Sequence, residues 1–104
     1  MAAKHGLNGL TKVVALENAG KGITCNSICP GWVLTELVQK QIDNIASERQ
    51  ISNEEATAFL LSSKEPTKQF TTPEHIGDMV VFLCGSAGSN MTGSEILMDG
   101  AWTT

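Results

Sequence analysis

The chain has 104 residues, 41% of them apolar, with 7 Lys and Arg against 11 Asp and Glu and a formal net charge of −4. A chain of this length can form one small core, and it buries a smaller share of its surface than a larger domain would. The acidic balance, the scattered lysines, the lack of a long apolar run and the lack of a basic, then apolar N-terminus speak against nucleic acid or a membrane as partner and for a cytoplasmic setting.

Residues from about Ala2 to Ala19 read as a helix. Ala3, Leu7, Leu10 and Val14 form its apolar face, Val13 and Leu16 widen it, and Gly20-Lys21-Gly22 ends it. Gly6 and Gly9 lie inside, although each costs about 1 kcal/mol relative to alanine; tight packing against another helix is the expected reason. Ile23 to Cys29, apolar or β-branched at several positions and flanked by Gly22 and Pro30, reads as a buried parallel strand that Pro30-Gly31 breaks.

A second helix is expected from about Glu36 to Ala46 and a third from Asn53 to Leu61, the latter capped by Ser52 with Glu55 three residues on, the two forming a mobile hairpin. Thr72-Pro73-Glu74 announces a fourth, with Thr72 as N-cap, Pro73 at the first position, Ile76, Met79, Val80 and Leu83 as its apolar face, and Gly85 closing it. Gly93 to Gly100 carries Ile96-Leu97-Met98 and reads as a last strand, parallel to the first through a right-handed crossover. Cys25, Cys29 and Cys84 have no metal-ligand spacing and are expected to be buried, reduced thiols, so no metal site is expected. His5 and His75 read as helix-surface or capping residues.

Two stretches carry the functional signal: Ala2-Ala3-Lys4-His5-Gly6-Leu7-Asn8-Gly9-Leu10-Thr11-Lys12 and Cys25-Asn26-Ser27-Ile28-Cys29-Pro30-Gly31-Trp32-Val33-Leu34-Thr35. Together they closely resemble the second half of a short-chain dehydrogenase/reductase, and the match runs nearly end to end. Within that family, Pro30 to Thr35, Val38-Gln39-Lys40-Gln41 and Asp99-Gly100-Ala101-Trp102 are similar to the NAD-dependent 3-hydroxybutyrate dehydrogenase group.

The resemblance implies an α/β fold, the C-terminal part of a Rossmann-like doubly wound parallel sheet with about two strands and four helices. Residues 1–104 would be a partial dehydrogenase domain lacking the N-terminal dinucleotide-binding half. The implied cofactor is NAD and the implied reaction converts 3-hydroxybutyrate to acetoacetate, with a small 3-hydroxy acid as substrate. A homo-oligomer is implied as well, tetrameric in the family, with the first helix and the Thr72 to Gly100 region making subunit contacts.

By the same resemblance Lys4 is the catalytic lysine, which lowers the pKa of a tyrosine and hydrogen-bonds the nicotinamide ribose. That tyrosine belongs four residues earlier, immediately before Met1, and the sequence contains no tyrosine. The family's serine and its glycine-rich pyrophosphate turn belong further upstream still. Hydride transfer by this polypeptide alone is therefore not expected, and a non-catalytic oligomerisation or interaction module is the alternative.

The segment Pro30 to Thr35 leaves the carboxyl end of a parallel strand, where open α/β sheets place their ligands. The resemblance gives the Val33 backbone and the Thr35 hydroxyl to the nicotinamide carboxamide, with Pro30 and Gly31 shaping the turn; the plainer reading is a strand break followed by a Thr35 helix cap. Trp32 and Trp102 are implied as walls around a short aliphatic chain, and Gln41 as a donor to a carboxylate. Each has an alternative: core or interface packing for the tryptophans and a solvated helix position for Gln41. Ala101 stands where the family commonly has glycine, which bears on the placement of Trp102.

Overall fold

The computed structural model describes residues 2–62 and 65–103. Among these the chain forms four α-helices, α1 (Ala2–Glu17), α2 (Glu36–Arg49), α3 (Asn53–Ser62) and α4 (Pro73–Cys84), and two strands, β1 (Ser27–Pro30) and β2 (Glu95–Met98). β1 and β2 pair in parallel as a two-stranded sheet. The chain divides into two compact units, Met1–Cys29 with Ile76–Leu97, and Pro30–His75 with Met98–Thr104.

In the first unit, α1 breaks where the glycines begin. Asn18 closes the last turn by donating from its side chain to the Val14 carbonyl at 2.8 Å, and Gly20 and Gly22 take φ of 81° and 74°, a region costly for any residue with a Cβ. β1 starts at Ser27, four residues later than the sequence pattern suggests, because Cys25 and Asn26 are committed to a loop. The Cys25 N–H donates to the Thr92 hydroxyl at 3.1 Å, and the Asn26 side chain donates to the Met91 carbonyl and accepts from the Ser94 N–H. The apolar and β-branched character favouring a strand over 23–26 loses to these local bonds, and Ile23 stays 52% exposed.

The interior of this unit is stitched by polar groups. Thr11, Ala15, Ser27 and Cys29 are buried, and the Asn8 side-chain oxygen accepts from the Ser27 hydroxyl at 2.9 Å and from the Cys29 thiol at 3.9 Å. The expected apolar face of α1 is not buried: Leu7, Leu10, Val13 and Leu16 are more than half exposed. Gly6 and Gly9 have no atom within 4 Å of where a Cβ would stand, so the close packing expected there is absent among the described residues. α4 likewise buries no residue. Cys84, at its end, is exposed and Cys25 half-exposed, so only Cys29 fits the expectation of a buried thiol.

The second unit holds the apolar core. Val38 and Ile42 on α2 and Ala56 on α3 are buried together, with Trp32, Ile45, Ala46, Ile51, Leu60 and Phe70 packed around them. α2 runs to Arg49, past the expected Ala46, until Gln50 adopts the left-handed conformation and its N–H bonds the Ala46 carbonyl. α3 begins as its sequence dictates, the Ser52 hydroxyl accepting from the Glu55 N–H at 3.1 Å. Thr72 caps α4 in the same way: its hydroxyl accepts from His75 N–H at 3.1 Å, and its own N–H donates to His75 Nδ1 at 3.3 Å.

Candidate functional site

The second unit receives the chain from β1 at Pro30 and turns it through Gly31 to Thr35. Each peptide of this turn is held. The Gly31 N–H donates to the Met98 carbonyl at 3.2 Å, the Trp32 carbonyl accepts from the Thr71 N–H at 3.0 Å, and the Leu34 N–H donates to the Thr71 carbonyl at 3.2 Å. The Trp32 N–H donates to the Glu65 carboxylate. A side chain on Gly31 would fall on that carboxylate and stand 3.1 Å from the Asp99 Cα, so any larger residue requires Glu65 to move.

These bonds orient Val33. It forms an isolated parallel bridge with Thr71, made through the residues on either side of it, and in extended chain successive peptides face opposite ways. The N–H and C=O of Val33 itself are therefore directed away from Thr71, as a donor and an acceptor on one edge. Two residues on, Thr35 is the N-cap of α2, its hydroxyl oxygen accepting from the Val38 N–H at 3.3 Å. The capping role weighed for Thr35 from the sequence is thus present, and the hydroxyl hydrogen stays available for a second bond.

The carboxyl-terminal turn lies in the same unit. The Met98 carbonyl also accepts from the Thr71 hydroxyl at 2.7 Å, and the Gly100 carbonyl accepts from the Thr67 N–H at 3.2 Å. Asp99 is buried and accepts from Ala101 N–H at 3.1 Å, Thr103 N–H at 3.3 Å and the Thr103 hydroxyl at 2.7 Å. The Thr103 hydroxyl above all, with the backbone N–H groups of Thr103, Ala101 and Asp99 itself, holds its carboxyl below the usual aspartate value against the opposing effect of burial. Ala101 sits at φ 72°, where glycine is the comfortable residue. The exposed Trp102 follows, its N–H bonded to the Asp99 carbonyl at 3.1 Å.

Gln41 is exposed on α2. Trp32 is half-buried and packs against the Val38, Ile42 and Ala56 cluster, the packing role weighed for it. Lys4 belongs to the first unit, exposed on the first turn of α1. Its ammonium group has no hydrogen-bond or ion-pair partner among the described residues.

Sequence reasoning missed Glu65, Thr71, Asp99 and Thr103 as the residues that hold this region. Asp99 had a signal, since an aspartate before glycine with a hydroxyl four residues on is the pattern of an aspartate accepting from its own turn. Glu65 and Thr71 had none, because their partners are distant in sequence.

A family model described as enoyl-(acyl carrier protein) reductase matches residues 1–103. D-beta-hydroxybutyrate dehydrogenase from Rhizobium meliloti is 48% identical over 99% of this chain, and the enzyme of the same name from Cupriavidus necator 49% identical over 98%. The chain spans 40% of the length of each. The solved structure of 4-hydroxyisoleucine dehydrogenase complexed with NADH superposes with a TM-score of 0.79 at 30% identity, over 98% of this chain and 38% of that one.

Proposed function

This chain belongs to the short-chain dehydrogenase/reductase family, and we propose that it is the C-terminal portion of an NAD-dependent 3-hydroxybutyrate dehydrogenase-type oxidoreductase, a partial Rossmann-like domain of the cytoplasm that does not transfer hydride alone. The observation that carries the reading is the Val33 edge. A nicotinamide carboxamide offers one acceptor and one donor, the complement of the N–H and C=O that Val33 directs away from Thr71. Thr35 supplies a hydroxyl beside it, and Pro30 with the sterically closed Gly31 fixes the turn.

In this reading Val33 and Thr35 would orient the carboxamide of NAD and Lys4 would hold a ribose hydroxyl, and the cofactor would supply the acceptor for the hydride of a 3-hydroxy acid. Trp32 and Trp102 flank the short aliphatic chain, and Gln41 donates to the substrate carboxylate. The proton of the substrate hydroxyl needs a phenol in this family, and the sequence has none; a lysine that tunes a tyrosine has nothing here to tune.

Purified chain mixed with NAD and 3-hydroxybutyrate is expected to give no absorbance change at the NADH band above blank. A sustained rate from homogeneous material would sink the catalytic part of the reading.

A second reading is favoured by one observation, the exposed apolar faces: Leu10 and Leu16 on α1 are 59% and 78% exposed, and Val81 on α4 72%. Surfaces of this kind suit an oligomerisation or interaction module. Sedimentation of the chain, alone and with a full-length dehydrogenase, tests it: a discrete complex supports the module, and polydisperse aggregate counts against it.

A further inference from the structure

Glu65 is 1% exposed, one of the three largest fully buried side chains among the described residues, and carries no role in the reading above. Its backbone is anchored at both ends, the N–H donating to the Leu61 carbonyl at 3.0 Å and the carbonyl accepting from the Lys68 N–H at 2.8 Å. One carboxylate oxygen accepts from the Trp32 N–H. The other is buried with no partner among the described residues. Two glycines make the space it occupies, since a Cβ on Gly31 would meet the first oxygen and one on Gly100 would stand 3.2 Å from the second.

A carboxylate with an orphaned oxygen is a costly thing to bury. Its one explained contact is the Trp32 N–H, while Thr71 bonds the Trp32 carbonyl and the Leu34 N–H. That N–H belongs to the Gly31–Trp32 peptide, the one that precedes Val33, so the Glu65 carboxylate bears directly on how this peptide is turned. We infer that Glu65 is a positioning residue for the Val33 edge, fixing the Gly31–Trp32 peptide as a hydrogen-bond acceptor rather than as a charge. The inference rests on the cofactor reading of Val33 for its functional meaning.

Two variants of the 104-residue chain test it. Glu65→Gln keeps the accepting oxygen and removes the charge; Glu65→Leu keeps the volume and removes the acceptor. Amide exchange at Trp32 is expected to stay within about threefold of the parent in Glu65→Gln and to rise about tenfold or more in Glu65→Leu, in keeping with loss of a buried hydrogen bond. In an NADH titration followed by amide NMR, the Val33 and Thr35 signals are expected to move in the parent and in Glu65→Gln and to lose that response in Glu65→Leu, while signals of the Ile42 and Ala56 core hold their positions.

Equal Trp32 exchange in all three proteins overturns the inference, as does Glu65→Gln exchanging as fast as Glu65→Leu. A Val33 response to NADH that is undiminished in Glu65→Leu also overturns it, and leaves the cofactor reading intact. If the exchange pattern is as expected but NADH moves nothing in the parent, the cofactor reading falls and Glu65 stands as the residue that fixes the turn. Should Glu65→Leu not fold, Glu65→Gln alone decides, because a charge-dependent role predicts an open Trp32 amide there.

Discussion

The two units are built on different principles. In Pro30–His75 with Met98–Thr104, two helices bury Val38, Ile42 and Ala56 against each other and an apolar shell surrounds them. In Met1–Cys29 with Ile76–Leu97, the buried positions are small or polar, joined through Asn8, while leucines and valines of α1 and α4 face outward. The difference teaches where each stretch finds its partners. A hairpin of helices satisfies itself within the segment, whereas the helices flanking a parallel sheet bury their faces against strands and helices from elsewhere in a doubly wound fold, and a sheet of two parallel strands offers little to cover them.

The comparison can be broken most forcefully at Ile42, which is 2% exposed. Ile42→Ala is expected to cost about 2–5 kcal/mol, read as a shift in the urea midpoint of tryptophan emission, a probe that reports on the second unit because Trp32 and Trp102 both lie there. Val81→Ala on the exposed face of α4 should stay within about 0.5 kcal/mol of the parent. Equal losses from the two would erase the distinction between the units.

Next in size is Asn8→Ala, which leaves the buried Ser27 hydroxyl and Cys29 thiol without their acceptor. A loss of about 1–3 kcal/mol is expected for such an orphaned group, seen as faster amide exchange in α1 and β1 with little change in tryptophan emission. If emission moves as much as exchange does, the polar network is not local to its unit.

Ala101→Gly should act in the opposite direction, stabilising by about 1 kcal/mol, since it relieves the left-handed backbone at φ 72°. A destabilised glycine variant would mean that the alanine methyl makes up for its backbone strain.

The smallest expected effect is on pH dependence. The Asp99 pKa is lowered by folding, so the unfolded chain binds more protons as the solution becomes acidic. The contribution is therefore present above the ordinary aspartate value and fades as pH falls below it. Thr103→Val, which removes the leading hydrogen bond, should flatten the acid limb of the stability curve between about pH 5 and 3. An unchanged slope would show that the backbone N–H groups suffice.

What could be read from the sequence followed from local chemistry. Ser52 with Glu55 and Thr72 with Pro73 fix helix starts within a few residues of one another, and these appear as expected. The family motif placed Pro30 to Thr35 at a strand end for the same reason. The sequence was silent where the determinant is remote. The α1 face reads as core by periodicity, yet periodicity says only that a face wants covering, not which segment covers it, and Leu16 is 78% exposed. Glu65 is equally opaque, because a glutamate beside proline reads as a solvated loop until the Trp32 N–H is found 33 residues away.

The reciprocal bond between Thr72 and His75 carries a consequence for the imidazole. Because Nδ1 accepts from the Thr72 N–H, that nitrogen carries no hydrogen in the neutral ring, and the hydrogen is confined to Nε2. An immobilised nickel or copper ion, or an alkylating reagent, approaching this side chain meets one nitrogen already engaged in starting a helix and another whose lone pair is available only after a proton has been moved.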